Sequence, residues 1–399
     1  MTSTSRDRML AALACQPGSP APCSFMLYNG LKAAAGSAGP GLAGYLDFIQ
    51  RQLDLGLDAY VQLPPRPPRV VSDSYNLHGL PVPYPPDVAI REWTDGPLLR
   101  KEYRTPAGTL STAVEPDDEW PYGSHVPFLD DYLVGRSRKF LVDGPADLPA
   151  LQSLLRLPTP AESAANAAAF AADSAEALAF ARARGLLTAG GWGVGADLIG
   201  WVYGLQNMIF AAHDQPAFIA DLLALIAAWN RARMETVLSA GVDLYIKRGW
   251  YENADFWPPR AFRRFLQPLL YEEAALAHRR GARFGLIITS NCMSLLEPLA
   301  EAGVDVLIGA DPHAWDLPAA AARLRGRVCL WGGVNGHLTV EHGSPEDVRA
   351  EVRTALKTFS PGGGLILSPV DNVRVDTPTA RANVQALIAE WRAFTPDRP

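Results

Sequence analysis

Cysteine is scarce. The 399-residue chain has four, Cys15, Cys23, Cys292 and Cys329, with no CxxC or HxC spacing among them. Thiols this scattered imply neither a zinc finger nor a disulfide framework, and they fit a reducing cytoplasm. Basic runs are missing too. A formal net charge of -6 without a basic stripe argues against nucleic acid or an anionic membrane as partner. No run of roughly 18 apolar residues occurs, so no segment is expected to span a membrane. The apolar stretch at 9–14 is too short for a signal-peptide core. The spacing of Met9, Leu10 and Leu13 predicts a short helix there instead. Apolar residues are 48% and charged residues 20% of the chain, an ordinary globular balance. The length is enough for one large core without staples.

What is present is a rhythm. From residue 242, short apolar runs alternate with amphipathic stretches, and Gly or Pro marks the joints. That alternation argues for βαβ units on a parallel sheet. VDLYIKRG, RFGLIITS, VDVLIGA, RVCLWGGVN and GLILSPVDN read as strands. The stretches between and after them read as helices, over 259–280, 293–302, 317–324, 345 onward and 378–394. Ser344-Pro345-Glu346-Asp347 has the makings of a helix start: a serine N-cap, proline at the first position, then acids. Upstream, PCSFML, LDAYVQL and GLLTAGG are three further strand candidates. Eight strand–helix units predict a (β/α)8 TIM barrel over residues 1–399 as a single domain. An open doubly wound sheet is the rival architecture.

Residues 64–160 break the rhythm. PPRPPR reads as a stiff connector. The following VAIREWTDGPLLRKEYRTPAGTLSTAV reads as antiparallel strands joined at Asp95-Gly96 and around Pro106-Ala107-Gly108. This part is expected to be an excursion over one barrel face. The Ala-rich stretch 161–184 reads as a helix, because Phe170 and Leu178 give it recurring apolar positions.

Several segments resemble the uroporphyrinogen decarboxylase superfamily. RDRMLAALACQPGSPAP is similar to its opening helix and first strand. LLEPLAEAGVDVLIGADP resembles its run into strand six. LRGRVCLWGGVN with GSPEDVRAEVR resembles its seventh unit, and GGGLILSPVDNVRVDTPTARANVQALI its eighth. The resemblance implies a barrel, and it implies a homodimer. It also implies either cofactor-free decarboxylation of carboxylated substrates or methyl transfer with a corrinoid protein and often zinc. The chain departs from both patterns. The decarboxylases' paired arginines after strand one are replaced by FMLYNGLK, with Tyr28 and Lys32. Their aspartate after strand two falls in QLPPR, which has no acid. The methyltransferases' HxC after strand five is IITSN here, and Asp371 stands at their strand-eight cysteine.

Barrel enzymes carry their chemistry at the C-terminal ends of the strands. After strand four comes KRGWYENADFW. Lys247, Arg248, Tyr251, Glu252 and Asn253 suit carboxylate binding, acid–base work or a metal, and Trp250, Phe256 and Trp257 suit an aromatic wall. The structural alternative is a buried ion pair with packed aromatics. After strand five stand Thr289, Ser290, Asn291 and Cys292, otherwise readable as a helix cap. Cys292 has no histidine near in sequence to activate it as a nucleophile. Asp311-Pro312-His313 after strand six offers an acid and base or two metal ligands, or merely a turn. Gly332, Gly333 and Asn335 end strand seven, where glycine admits a close ligand or a tight turn. GGWGVGAD lacks GxGxxG spacing and does not predict a dinucleotide site, although Asp197 within it is placed to face a pocket. Asp371 and Asn372 end strand eight.

The expected activity is removal or transfer of a one-carbon unit from a small carboxylated molecule, without a cofactor. Arg248 would hold the carboxylate, and Asp371 or Glu252 would protonate the carbon as CO2 leaves. Tyr251 and Asp311 complete the catalytic set. Lys247, Trp250, Asn253, Trp257, Asn291, His313, Asn335, Asn372 and Tyr28 would line the substrate. A corrinoid-linked methyltransferase or O-demethylase is the alternative, with Glu252, Asp311, His313 and Asp371 as oxygen and nitrogen ligands for zinc. A non-catalytic ligand-binding barrel is the third reading.

Overall fold

A computed structural model describes residues 3–34, 41–65, 80, 82, 84–359 and 362–394. Seven parallel strands form one curled sheet. They are β1 (Tyr60–Leu63), β6 (Leu187–Gly193), β7 (Leu244–Arg248), β8 (Arg283–Ile287), β9 (Val306–Ala310), β10 (Cys329–Asn335) and β11 (Leu365–Val370), hydrogen-bonded in that order. The first expected strand, PCSFML, contributes a single bridge rather than a full strand. Cys23 pairs in parallel with Leu367. Ser24 N donates to Leu367 O (2.9 Å), Leu367 N to Pro22 O (2.8 Å), and Asp58 N, just before β1, to Cys23 O (2.7 Å). This segment therefore stands between β11 and β1, in the eighth place of the ring. The Asp58 carboxylate holds it there, accepting from Cys23 N at 3.0 Å and pairing with Arg8 at 2.7 Å. The fold is TIM-barrel-like.

Side chains alternate across each strand, and this divides the core in two. The inner set includes Tyr60, Leu187, Leu244, Ile246, Val306, Ile308, Trp331 and Ile366. Tyr60 and Trp331 meet edge to face at 5.3 Å. Their polar ends donate to Met26 O (3.0 Å) and Ser24 O (2.7 Å), so two large rings fill the barrel without orphaned donors. The helix Ser5–Leu13 seats Met9, Ala12 and Leu13 in the same inner set. The outer set, with Tyr245, Phe284 and Leu307, packs on the surrounding helices.

The excursion holds a separate antiparallel sheet, β2 (Ala89–Asp95), β3 (Leu98–Thr105), β4 (Gly108–Val114) and β5 (Ser137–Lys139), in that order. Its two hairpin turns are Gly96-Pro97, one residue on from the expected Asp95-Gly96, and Pro106-Ala107, within the expected stretch. The short β5 carries no sequence signal of its own. Most of the PPRPPR connector lies outside the described residues, and so does the side chain of Lys32.

The expected helix over 259–280 is two helices, Pro259–Phe265 and Gln267–Arg279. Pro268 has no N–H to donate and its ring crowds the preceding turn, so the helix breaks there. The Ala-rich helix runs Pro160–Arg184, opened by a Thr159/Glu162 capping box and closed by Gly185 in the left-handed conformation. After β10 comes a π-helical turn, Gly336–Glu341. Among the described residues no helix is long and apolar enough to cross a membrane.

Candidate active site at the strand-four end of the barrel

Alternation along β7 decides what its charged residues can do. Arg248 has the parity of Leu244 and Ile246, so it faces the barrel interior. Lys247 has the parity of Tyr245, so it faces the helices. The two cations therefore build two different clusters.

Lys247 is 3% exposed. Its Nζ donates to Glu273 Oε2 at 2.8 Å and lies 3.5 Å from Glu252 Oε1. Asn230 Nδ2 donates to Glu273 Oε1 (2.8 Å), and Val194 N donates to Asn230 Oδ1 (3.1 Å). Ala196 N donates to Glu252 Oε1 (2.9 Å). Two helices and the loops after β6 and β7 are thus tied through one buried cation. Gly195 makes this possible, since a Cβ there would collide with Glu252 Oε1 and come within 2.6 Å of Lys247 Nζ. Burial pulls the Lys247 pKa down, but Glu252 and Glu273 outweigh it and leave it raised. The Glu252 carboxyl is pushed up to about 7. Burial is the main cause, opposed by Lys247 and reinforced by Asp197 and Glu273. Its second oxygen, Oε2, is buried without a hydrogen-bond partner among the described residues. A proton there suits the site better than an unpaired negative charge. This placement corrects the expectation for Lys247, which points away from the mouth and ties elements together. Glu252 stands with it, 1% exposed.

Arg248 is 2% exposed and sits at the mouth. Its Nε donates to Asp197 Oδ2 at 2.9 Å, and its Nη2 to Asp131, which reaches in from the excursion. The guanidinium lies 3.7 Å from the Trp250 ring centroid and 4.8 Å from that of Trp201. Trp201 Nε1 and the Tyr251 hydroxyl also donate to Asp131, at 3.1 and 3.2 Å. Asp197 in turn accepts from the backbone of Tyr251 (2.8 Å) and Trp250 (3.3 Å). Burial raises the Asp197 pKa, against the pull of Arg248. Burial also raises that of the Tyr251 hydroxyl, and Asp131 adds to the rise. Arg248 Nη1 has no partner among the described residues. Asp197 and Asp131, rather than Asp371, are the acids that pair with Arg248.

Trp192 completes the wall. It sits at φ 68 in the left-handed region, where the β6–β7 register slips between Gly191 and Gly193. Such a bulge re-aims a side chain. Here the ring joins the inner core and meets Trp250 edge to face at 6.5 Å.

Across the ring, Asp371 follows β11 and also lies at φ 68. A non-glycine residue there is strained, and such strain collects at functional sites. The residue is exposed, yet surrounding protein desolvates its carboxyl and raises the pKa, against Arg374 and with Glu341. No hydrogen bond or ion pair holds it among the described residues. Strands four and eight stand opposite each other in a ring of eight, so Arg248 and Asp371 close opposite strands, and the charged neighbours of Asp371 are Arg374 and Glu341.

The other expected residues serve the loops. Asn253 Nδ2 donates to Trp250 O (2.9 Å) and Ser290 Oγ (2.7 Å). Trp257 is buried and donates to Tyr251 O (2.9 Å). Asn291 Nδ2 donates to Asp255 Oδ1 (3.2 Å). The Asp311 carboxylate accepts from His313 N (2.9 Å) and from Asn335 Nδ2 (3.0 Å to each oxygen). His313 turns outward to Glu351 (2.9 Å). Asp311 and His313 thus form the turn that was the bland alternative. Asn372 Oδ1 accepts from Asn29 N (3.1 Å). Tyr28 is buried and its pKa is pushed up to about 12 by burial and by Asp376. Burial likewise drives the Cys292 thiol far up, which leaves it a poor nucleophile.

The expected zinc set does not assemble. Glu252 is sealed beside Lys247, Asp311 is held by Asn335, His313 by Glu351, and Asp371 stands on another strand. These residues do not fit a shared metal ion. Asp131, Trp201 and Glu273 had no sequence signal, since each comes from a distant segment.

No curated protein matches the chain. Among solved structures, a methyltransferase from Methanosarcina mazei is 19% identical, with a TM-score of 0.59 over 98% of this chain and 99% of its own. A B12-independent methionine synthase from Shewanella sp. W3-18-1 is 12% identical, with a TM-score of 0.44 over 95% and 98%. The first shares the fold. The model of the uroporphyrinogen decarboxylase (URO-D) family matches residues 150–394, which hold β6 to β11, Arg248 and Asp371. The chain belongs to the uroporphyrinogen decarboxylase family.

Proposed function

We propose that this protein is an enzyme that removes a carboxylate as CO2 from a small organic molecule, using its own side chains. The observation that carries the reading is the locked Arg248 guanidinium at the end of strand four, with the strained Asp371 at the end of the strand opposite it in the ring. On one side stands a fixed guanidinium with one nitrogen free of partners. On the other stands an unpaired, accessible carboxyl with a raised pKa.

Arg248 binds the substrate carboxylate through Nη1. Its plane is already locked by two acids and two indoles, so little is lost in ordering it. The Trp192 and Trp250 rings exclude water beside the bound carboxylate. A concentrated charge suffers more from that loss than the dispersed charge of the transition state. The C–C bond breaks, CO2 leaves, and the electron pair stays on carbon. Asp371, protonated, delivers H+ to that carbon, becomes carboxylate, and regains its proton from water. Such positioned proton transfer contributes typically ~10²–10⁴-fold. The substrate therefore needs an aromatic ring or carbonyl to delocalise the pair.

The test is CO2 release from a panel of such carboxylates. Wild type is expected to turn over at least one. Arg248→Met is expected to raise KM sharply, while Asp371→Asn lowers kcat. Methyl transfer from a methoxyarene to a reduced corrinoid protein, with no CO2 released by any carboxylate, would replace this reading with the methyltransferase one. Tight binding of a carboxylate without turnover would replace it with a binding barrel.

A further inference from the structure

We propose that His337, Glu341 and His342 form a binding site for one divalent transition-metal ion, zinc by its donor chemistry. They are separate from Arg248 and its partners. Each offers one ligand atom, and the three atoms lie within 4.8 Å of one another.

The local backbone brings them together. Residues Gly336–Glu341 are a π-helical turn. Its wider winding puts positions i, i+4 and i+5 on one face, and π-bulges are frequent at functional sites. The turn is firmly held. Asn335 Oδ1 accepts from Leu338 N (2.6 Å), and Asn383 Nδ2 donates to Val340 O (3.0 Å) and Gly343 O (2.8 Å). Glu341 is buried, its Oε1 accepting from Arg374 N at 2.5 Å. Both histidines are exposed.

A cation already occupies the place between the donors. Arg374 Nη2 donates to His337 Nδ1 (2.6 Å) and Glu341 Oε2 (3.1 Å). His337 Nδ1 thus lies between the Arg374 guanidinium, a donor, and the Glu341 carboxylate, an acceptor, and a metal ion taking the place of Arg374 would bind it through the lone pair of the neutral ring. His337 Nδ1 and Glu341 Oε2 are 2.9 Å apart. Ligands of tetrahedral zinc at about 2.1 Å stand about 3.4 Å apart, so this pair needs little change. The exposed His342 ring supplies the third nitrogen by a small rotation, its centroid being 4.7 Å from that of His337. The Arg374 side chain is 53% exposed and can swing into water to make way. Two imidazoles and one carboxylate suit zinc and its neighbours rather than magnesium or calcium. Three protein ligands leave a fourth position for water or for an oxygen or sulfur donor of a small molecule.

The ordinary alternative is an ion pair of Glu341 with Arg374 and nothing more. The two differ in what Arg374 does. The test is equilibrium dialysis of chelator-stripped, full-length protein against Zn2+, with the visible spectrum of the Co2+ form as a second readout. One ion per chain is expected. His337→Ala/His342→Ala is expected to weaken binding roughly 100-fold, and Arg374→Ala, by removing the competing cation, to tighten it about tenfold. Folding of each variant is checked by circular dichroism. The proposal is overturned if folded wild type takes up no ion, if the double histidine variant binds as well as wild type, or if Arg374→Ala binds no tighter.

Discussion

Replacing Glu252 with glutamine should change how stability depends on pH. The carboxyl rises from 4.5 to about 7 on folding. An acid raised in the folded state favours folding when protonated. Its contribution is complete below the unfolded pKa and is lost as pH climbs through the folded one. The window therefore runs from about 4.5 to about 7. At 1.36 kcal/mol per unit the full loss is about 3 kcal/mol, most of it between pH 5 and pH 8. Glutamine keeps the acceptor for Ala196 N and cannot ionise. The assay is urea unfolding of both proteins at pH 5 and pH 8. Wild type should lose about 2–3 kcal/mol more than Glu252→Gln between the two. Parallel pH dependence, within about 0.5 kcal/mol, would refute the argument that burial holds a proton on this carboxyl.

Other substitutions probe the same architecture. Gly195→Ala forces a methyl onto the Lys247–Glu252 contact. It should cost about 1–3 kcal/mol in chemical denaturation, as overpacking does; a neutral result would contradict the tight cradle. Arg248→Met strands two acids, one of them fully buried, and should destabilise by about 3–5 kcal/mol. Double variants with Asp197→Asn should recover part of that loss if the pairing is correct. Thr159→Ala removes one half of a capping box on an exposed helix start and should cost about 1 kcal/mol, read as a shift in the thermal midpoint.

The repeating strand–helix units were legible because each depends on local pattern: apolar runs such as VDVLIGA, Pro and Ser at helix starts, Gly at ends. The hairpins at Gly96-Pro97 and Pro106-Ala107 were legible, to within a residue, for the same reason. The first strand was overestimated. PCSFML has strand composition, but its pairing is limited to the bridge at Cys23. The π-helical turn after β10 was not visible, because HLTVEH looks like any loop until Asn335 and Asn383 fix it. At the site, sequence located the loaded stretch after strand four but not the direction of each side chain. Lys247 and Arg248 are neighbours with opposite fates, and only strand parity separates them. Asp131 lies more than a hundred residues from Arg248 in sequence, so no local pattern joins them.

Decarboxylation is tested most directly by where the hydrogen in the product comes from. Wild-type protein and a substrate that it turns over would be incubated in D2O, and CO2 and product measured together by mass spectrometry. Decarboxylation with protonation at carbon predicts one CO2 per product, and one deuterium at the carbon that bore the carboxylate. Asp371→Asn should slow this by at least ~100-fold. A product that keeps its carboxylate and has lost a methyl group, or an Asp371→Asn variant as fast as wild type, would contradict it.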